Sequence, residues 1–236
     1  MTINGTDLSE YHARQHHVDF GYHAITNSAT WVQAAVLPHF GVNYIDFKDI
    51  SIEFSVYGSG RDDIHRHASD LLSALMDPCD LKLDGFSHMF RVMMQSHTAE
   101  EWAERRRHKI TVKFVGYEYG EEQAASGMGN VTIKNPGNIL SPLRVSITPS
   151  ENADQIAVKG VCPNKQTGED MPVLIEEVKS GVEIVLDGAN GLFTAGGTLL
   201  KNAVIRCPPA MYGGTKRIGC TQAGAKLSVS VLPLFM

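Results

Sequence analysis

The sequence predicts a mainly β protein with a single helix, an α+β first domain followed by a β-sandwich. Three observations carry that expectation. Asp49 to Tyr57 alternates, with Ile50, Ile52, Phe54 and Val56 on one face and Ser51, Glu53 and Ser55 on the other, the pattern of a half-buried strand. Ile64, Ala68, Leu71, Leu72 and Leu75 then fall at helical spacing, with Arg61, Arg66, Ser69 and Ser73 opposite them. Beyond residue 126, short alternating runs recur between turn signals and no helical period returns.

Met1 to Leu8 reads as a short strand and turn on Asn4-Gly5. From Ser9 to Phe47 the pattern weakens. Val18 and Phe20 alternate, Trp31, Val32, Ala34 and Val36 are apolar, and Pro38 and Gly41 interrupt, which suggests strands joined by a long arm. The helix opens after Gly58-Ser59-Gly60, gains from Asp62 and Asp63 at its positive end, and is stopped by Pro78. Phe86 to Gln95 follows as a strand with Phe86, His88, Phe90, Val92 and Met94 on one face, then a charged insert, then Lys109 to Tyr119 through Ile110, Val112 and Phe114. One helix therefore lies across a sheet, its apolar side chains contributing about 1.5 to 3 kcal/mol each on burial.

Gly120 to Gly129 is small, polar and aperiodic, so it is the expected linker. After it, seven strands are predicted: Val131 to Lys134, Leu143 to Thr148, Ile156 to Lys159, Val173 to Val178, Val182 to Asp187, Thr198 to Arg206 and Lys226 to Leu232. Composition supports a division into residues 1–125 and 126–236. The first part holds 11 basic and 18 acidic side chains, a formal −7, against 10 and 8, or +2, in the second. All ten histidines and both tryptophans lie in the first part. Such a shift favours two domains with different partners.

The overall charge of −5 argues against nucleic-acid readout, which needs clustered Lys and Arg. The basic run Arg105-Arg106-Arg107-His108-Lys109 follows Glu100, Glu101 and Glu104 and reads as a solvated loop. No apolar stretch approaches the roughly 20 residues of a membrane span, and no basic-then-apolar leader opens the chain. Cys79, Cys162, Cys207 and Cys220 form no C-x-x-C pair and are expected to be reduced thiols.

No catalytic, cofactor-binding or metal-binding residue is expected. His12, His16, His17 and His23 lack Cys or carboxylate companions at ligand spacing and read as surface histidines. His65 and His67, two apart on a helix, point in different directions, while Asp63 and His67 form a modest pair. Glycines 188, 191, 196 and 197 precede no helix and read as turns, not as a phosphate cradle. Adjacent carboxylates at Glu121-Glu122 and Glu176-Glu177 are directed to opposite faces on a strand and cannot act as an acid and base pair. No G-x-S-x-G elbow occurs. Trp31 belongs to the first core, and Trp102, amid charges, to a contact surface.

The order of these elements resembles a known family. Ile50 to Tyr57, Arg61 through Leu71-Leu72 to Leu81-Lys82-Leu83-Asp84, the Phe90-Arg91-Val92 strand and Lys109 to Tyr119 resemble the N-terminal belt domain of distal tail proteins of long-tailed phages and prophages. Val131 to Gly137, Pro142 to Pro149 and Gly181 to Asp187 resemble that family's C-terminal galectin-like sandwich. The resemblance implies a six-fold ring at the virion tail tip, assembled in the host cytoplasm, that joins the tail tube to tail-associated or baseplate proteins without enzymatic activity. A rival expectation is a carbohydrate-binding module that grips a host glycan through its sandwich. Sugar platforms want exposed aromatic rings, and the second part offers only Phe193, Tyr212 and Phe235.

Overall fold

The computed structural model describes residues 1–21, 25–26, 29–30, 39–40, 44–101, 107–164 and 169–236. The chain divides into two compact units, Met1–Tyr119 and Gly120–Phe235.

The first unit begins with β1 (Thr2–Ile3) and β2 (Thr6–Asp7), an antiparallel pair joined through Asn4-Gly5, both at positive φ. A single 3-10 turn, Leu8–Tyr11, is capped by the Asp7 carboxylate, which accepts from the Ser9 amide at 2.8 Å. Next come β3 (Ala13–Phe20), β4 (Ile25–Thr26), β5 (Ala29–Thr30), β6 (His39–Phe40) and β7 (Tyr44–Ile45). Strands β4 with β7 and β5 with β6 are nested antiparallel pairs, so the described segments of the arm expected between residues 9 and 47 pair with one another. The Trp31, Val32, Ala34 and Val36 positions lie outside the described residues. Then follow β8 (Lys48–Tyr57), α1 (Arg61–Met76), β9 (Cys79–Lys82), β10 (Met89–Glu101) and β11 (Arg107–Tyr119). The strands form an antiparallel sheet in the order β2-β1-β9-β10-β11-β8-β3.

Strand β11 is central, and its Gly116 allows that position. A Cβ there would lie 2.1 Å from the Arg91 carbonyl oxygen on β10, closer than any atom tolerates. The predicted faces are found: Ile50, Ile52, Phe54 and Val56 of β8, Phe90 and Val92 of β10, and Ile110, Val112 and Phe114 of β11 are buried. Helix α1 packs Ile64, Leu71 and Leu75 into the same core. Its N-cap, Gly60, supplies no side-chain hydrogen bond, so Asp62 and Asp63 in the first turn are its acidic complement to the dipole.

Three expectations change here. Ala68 and Leu72 are only half-buried, which narrows the stripe. The strand expected from Phe86 begins at Met89, because Gly85 at φ 85° and the Phe86 amide bonded to the Leu83 carbonyl make a turn that leaves Phe86 40% exposed. The charged insert is largely strand, since β10 runs to Glu101 and β11 starts at Arg107.

In the second unit the strands are β12 (Gln123–Met128), β13 (Asn130–Asn135), β14 (Ser141–Thr148), β15 (Ala153–Pro163), β16 (Asp170–Val178), β17 (Ile184–Asp187), β18 (Leu192–Ala195), β19 (Thr198–Leu199), β20 (Ala203–Val204), β21 (Ala210–Met211), β22 (Gly214–Cys220) and β23 (Lys226–Val231). One sheet runs β12-β23-β14-β17-β18-β19, with β21 beside β14, and the other β13-β22-β15-β16-β20. Val145, Ile147, Leu186, Leu227 and Val229 of the first sheet meet Ile133, Ile156, Val158, Val173 and Ile218 of the second in one core. The unit is a β-sandwich.

The expected linker is a correction. Gln123–Met128 is strand β12, in register with Lys226–Val231, and β23 continues into β14, so the last long strand closes the sandwich. Gly129, at φ 66° and with a hypothetical Cβ 2.6 Å from the Ala223 carbonyl oxygen, turns the chain from one sheet to the other. The run expected as one strand over residues 198–206 is two, β19 and β20, in different sheets.

The helix yields a test that separates its two leucines. Leu71→Asp places a charge in a fully buried site and is expected to abolish the folding transition of the first unit, whereas Leu72→Asp, half-exposed, costs about 1 to 2 kcal/mol. Urea denaturation of the two variants checks this. Equal damage would show that the helix is rotated relative to the sheet from the placement described.

Candidate assembly surface

The arm leaves the sheet at Phe20 and returns at Lys48, and the register Phe20↔Ile50 sets these points side by side. The Gly21 amide donates to the Asp49 carbonyl at 2.8 Å and closes the gap. Below it Phe20 stacks on Phe90 at 5.4 Å between centroids and meets Phe86 edge-on at 4.9 Å. Such pairs each add roughly 0.5 to 1.5 kcal/mol beyond their buried area.

Beside the aromatic trio sits a polar triad. Lys48 Nζ donates to Glu118 Oε2 at 2.6 Å, and His88 Nδ1 lies 2.6 Å from Glu118 Oε1. The Lys48 side chain is 6% exposed and that of Glu118 17%. Burial pushes the Glu118 carboxyl up, but hydrogen bonds from Lys48 and His88 and the nearby positive charge outweigh it and hold the carboxyl below its ordinary value. A second polar knot secures the strand on the far side of β10. Asp80 accepts from Arg91 at 2.9 Å and from the Tyr119 hydroxyl at 3.0 Å. Burial, then the Asp80 hydrogen bond, pushes the Tyr119 hydroxyl up to about 12.

Across the unit, an open apolar groove of about 750 Å³ runs between α1 and the β10–β11 hairpin. Leu72 and Met76 from the helix face Met94, Ala99 and Ile110 from the strands, with His65, His97 and His108 along its sides. Met76 is 65% exposed. Ile110 at its floor is buried, and Leu72 and Met94 are half-buried.

The histidines are placed as follows. His12, His16 and His17 are exposed, and His23 lies outside the described residues. His65 points to His108 edge-on at 5.2 Å, and His67 stacks on His12 at 4.0 Å, so the two do diverge. The expected Asp63 to His67 pair acts through charge alone, since the hydrogen bonds of both go elsewhere. His67 Nδ1 meets the Tyr57 carbonyl at 2.7 Å, while Asp63 takes Arg66 at 2.9 Å and the Ser59 hydroxyl. Among the described residues no group of three or more His, Cys, Asp or Glu is arranged to hold a metal ion. No described helix is long and apolar enough to cross a membrane.

Of the basic run, Lys109 is paired across the sheet with Glu53 at 2.7 Å and also feels the negative charge of Glu100. Arg105, Arg106 and Trp102 lie outside the described residues. Glu176 and Glu177 are both exposed, a departure from the expected alternation, because Glu177 sits at φ 53°; its carboxylate accepts from Asn202 at 2.7 Å. Glycines 188 and 191 belong to the turn from β17 to β18, and Gly196 and Gly197, both at positive φ, make the two-residue loop from β18 to β19. In the sandwich Phe193 packs on the core and Phe235 is half-buried, which leaves Tyr212, 46% exposed, as the one exposed ring of the three. A sugar platform is therefore not assembled from them.

A helix-covered antiparallel sheet, followed in the chain by a β-sandwich, defines a two-unit, β-rich fold. No family model matches the sequence, and no curated protein matches it. Among solved structures the chain is similar to the Dit protein of phage SPP1, described as a paradigm of the hub adsorption apparatus in phages that infect Gram-positive bacteria. The TM-score is 0.76 at 13% identity, over 99% of this chain and 98% of that one. It is also similar to a chain of the phage P2 baseplate in its activated conformation, with Ca (TM-score 0.52, 9% identity) and with Sr (0.53, 10%), each over 95% of this chain and 92% of that one. The chain is Dit-like in fold from end to end, as the order of its sequence elements implied.

The triad gives a pH-dependent expectation. The folded Glu118 carboxyl lies below its unfolded value, so its stabilisation is complete above about pH 5 and is lost as pH falls through the depressed value. Glu118→Gln at pH 7 leaves Lys48 buried and uncompensated and costs about 3 kcal/mol. In urea titrations the gap between variant and parent should narrow on acidification. A gap that is constant with pH would place the stabilisation elsewhere.

Proposed function

We propose that the chain is a structural hub of a phage tail tip, a homo-oligomeric ring of six copies closed through the first unit. It joins the tail tube protein to tail-associated or baseplate proteins and catalyses no reaction. It is assembled in the host cytoplasm and carried in the virion.

The observation that carries this reading is the end-to-end likeness to the SPP1 Dit protein, which extends over both units in the same order at a TM-score of 0.76. A shared sandwich alone would support much less, because sandwiches serve many functions. Physical features of the first unit favour closure through it. Strand β3 is at the edge of the sheet order, a row of backbone groups open to another chain. The root of the arm at Phe20 and Lys48 and the groove along α1 are built from different residues, and a head-to-tail contact that closes into a ring joins unlike patches. The formal −7 of residues 1–125 opposes crowding copies about an axis, so assembly is expected to strengthen with salt or on a tail-tube template.

Light scattering across ionic strength, with negative-stain images, tests the reading. Six-membered rings that gain population from low to moderate salt are expected. A chain that remains monomeric at every salt and concentration, and forms no ring with its tail partners, removes the hub function.

A further inference from the structure

Two of the four cysteines meet in the sandwich. Cys162 lies near the end of β15, opposite Met171 of β16 and just past the irregularity that begins at Val158. Cys207 lies in the segment between β20 and β21, which belong to different sheets. The Cys162 thiol donates to the Cys207 carbonyl oxygen at 2.8 Å. Cys162 is fully buried in the core, whereas Cys207 packs against that core and remains half-exposed. That contact sets the Cys162 sulfur directly against the backbone of the second cysteine, the neighbourhood a bridge requires. Both residues are free thiols in the structure.

We propose that Cys162 and Cys207 are a site of reversible oxidation, closing to an intramolecular disulfide when the protein meets a low-molecular-weight disulfide. The accessible partner reacts first. The Cys207 thiolate attacks one sulfur of the small disulfide, breaks its S–S bond and releases one thiol, which takes the proton that Cys207 gave up. Cys162, deprotonated, then attacks the Cys207 sulfur of the mixed disulfide and expels the second thiol. Two thiol hydrogens and two electrons pass to the oxidant, which is reduced to two thiols. Burial, then the hydrogen bond and charge of Cys207, pushes the Cys162 thiol up to about 12, so closure is the slow step at neutral pH and quickens as pH rises.

The bond would close a loop spanning 45 positions and pin the segment that crosses between sheets. The chemistry stands without the hub reading, which supplies only an occasion, since a virion passes from a reducing cytosol to an oxidising exterior.

The test uses the full chain with oxidised glutathione, followed by a reductant. Expected are a mass loss of two hydrogens, a linked peptide pair carrying residues 162 and 207, and a rise of about 10 °C in the sandwich melting temperature that the reductant reverses. Cys207→Ser and Cys162→Ala should each abolish the linked pair and the shift. The partly exposed position makes the first the safer variant to fold. Accumulation of glutathionylated Cys207, a bond between copies, a pairing with Cys79 or Cys220, or a 162–207 bond without thermal effect would each overturn the proposal. None of these outcomes bears on ring formation, which is read by imaging.

Discussion

Glu118 is the residue on which the first unit's architecture turns. Its two oxygens are shared between a lysine that ends the arm's return and a histidine that precedes β10, residues 70 and 30 positions away in sequence. Burying a carboxylate and an ammonium costs several kcal/mol per ion before any attraction is counted. Direct hydrogen bonds to both oxygens are what make that burial tolerable, and the depressed carboxyl shows that pairing wins over desolvation. The apolar neighbours matter equally. Phe20 lies 6.0 Å from Lys48 Nζ and stacks on Phe90, so the lysine, 6% exposed, is the member of the triad most shielded from water.

Strands β8 and β11 and helix α1 were legible from residue order, because each carries one apolar face at the period of its own structure, two for the strands and about 3.6 for the helix, over enough residues to be recognised. Strand β9 was not. Cys79-Asp80-Leu81-Lys82 is four residues long and its alternation is too short to separate from a turn. Strand β12 misled more seriously. Gln-Ala-Ala-Ser-Gly-Met holds no β-branched or aromatic residue, and its conformation comes from backbone pairing with Lys226–Val231, a hundred positions on. Strand β22, Gly214–Cys220, buries only Ile218 fully and presents almost no pattern.

The candidate assembly surface was less legible than the fold, for a related reason. Met94 and Ile110 read as ordinary core in one dimension, Met76 falls outside the predicted stripe, and only the packing of α1 on the sheet brings Met76, exposed, beside the others. Glu118 gave no signal at all, since a glutamate near a strand end is ordinarily solvated. The thiol pair was similarly hidden: residues 162 and 207 follow no short motif and are joined by the sandwich topology alone.

The ribbon between β3 and β8 has a consequence for how such a protein can diversify. Because the chain departs and re-enters at paired positions, Phe20 beside Ile50, the sheet experiences the arm only as a closed loop. Loop-closure entropy grows with the logarithm of length, so doubling the insert costs about 0.6 kcal/mol. The arm is thus an exchangeable cassette. Its length is a weak term in the stability of the sheet, and the triad and the aromatic trio at its root hold the frame.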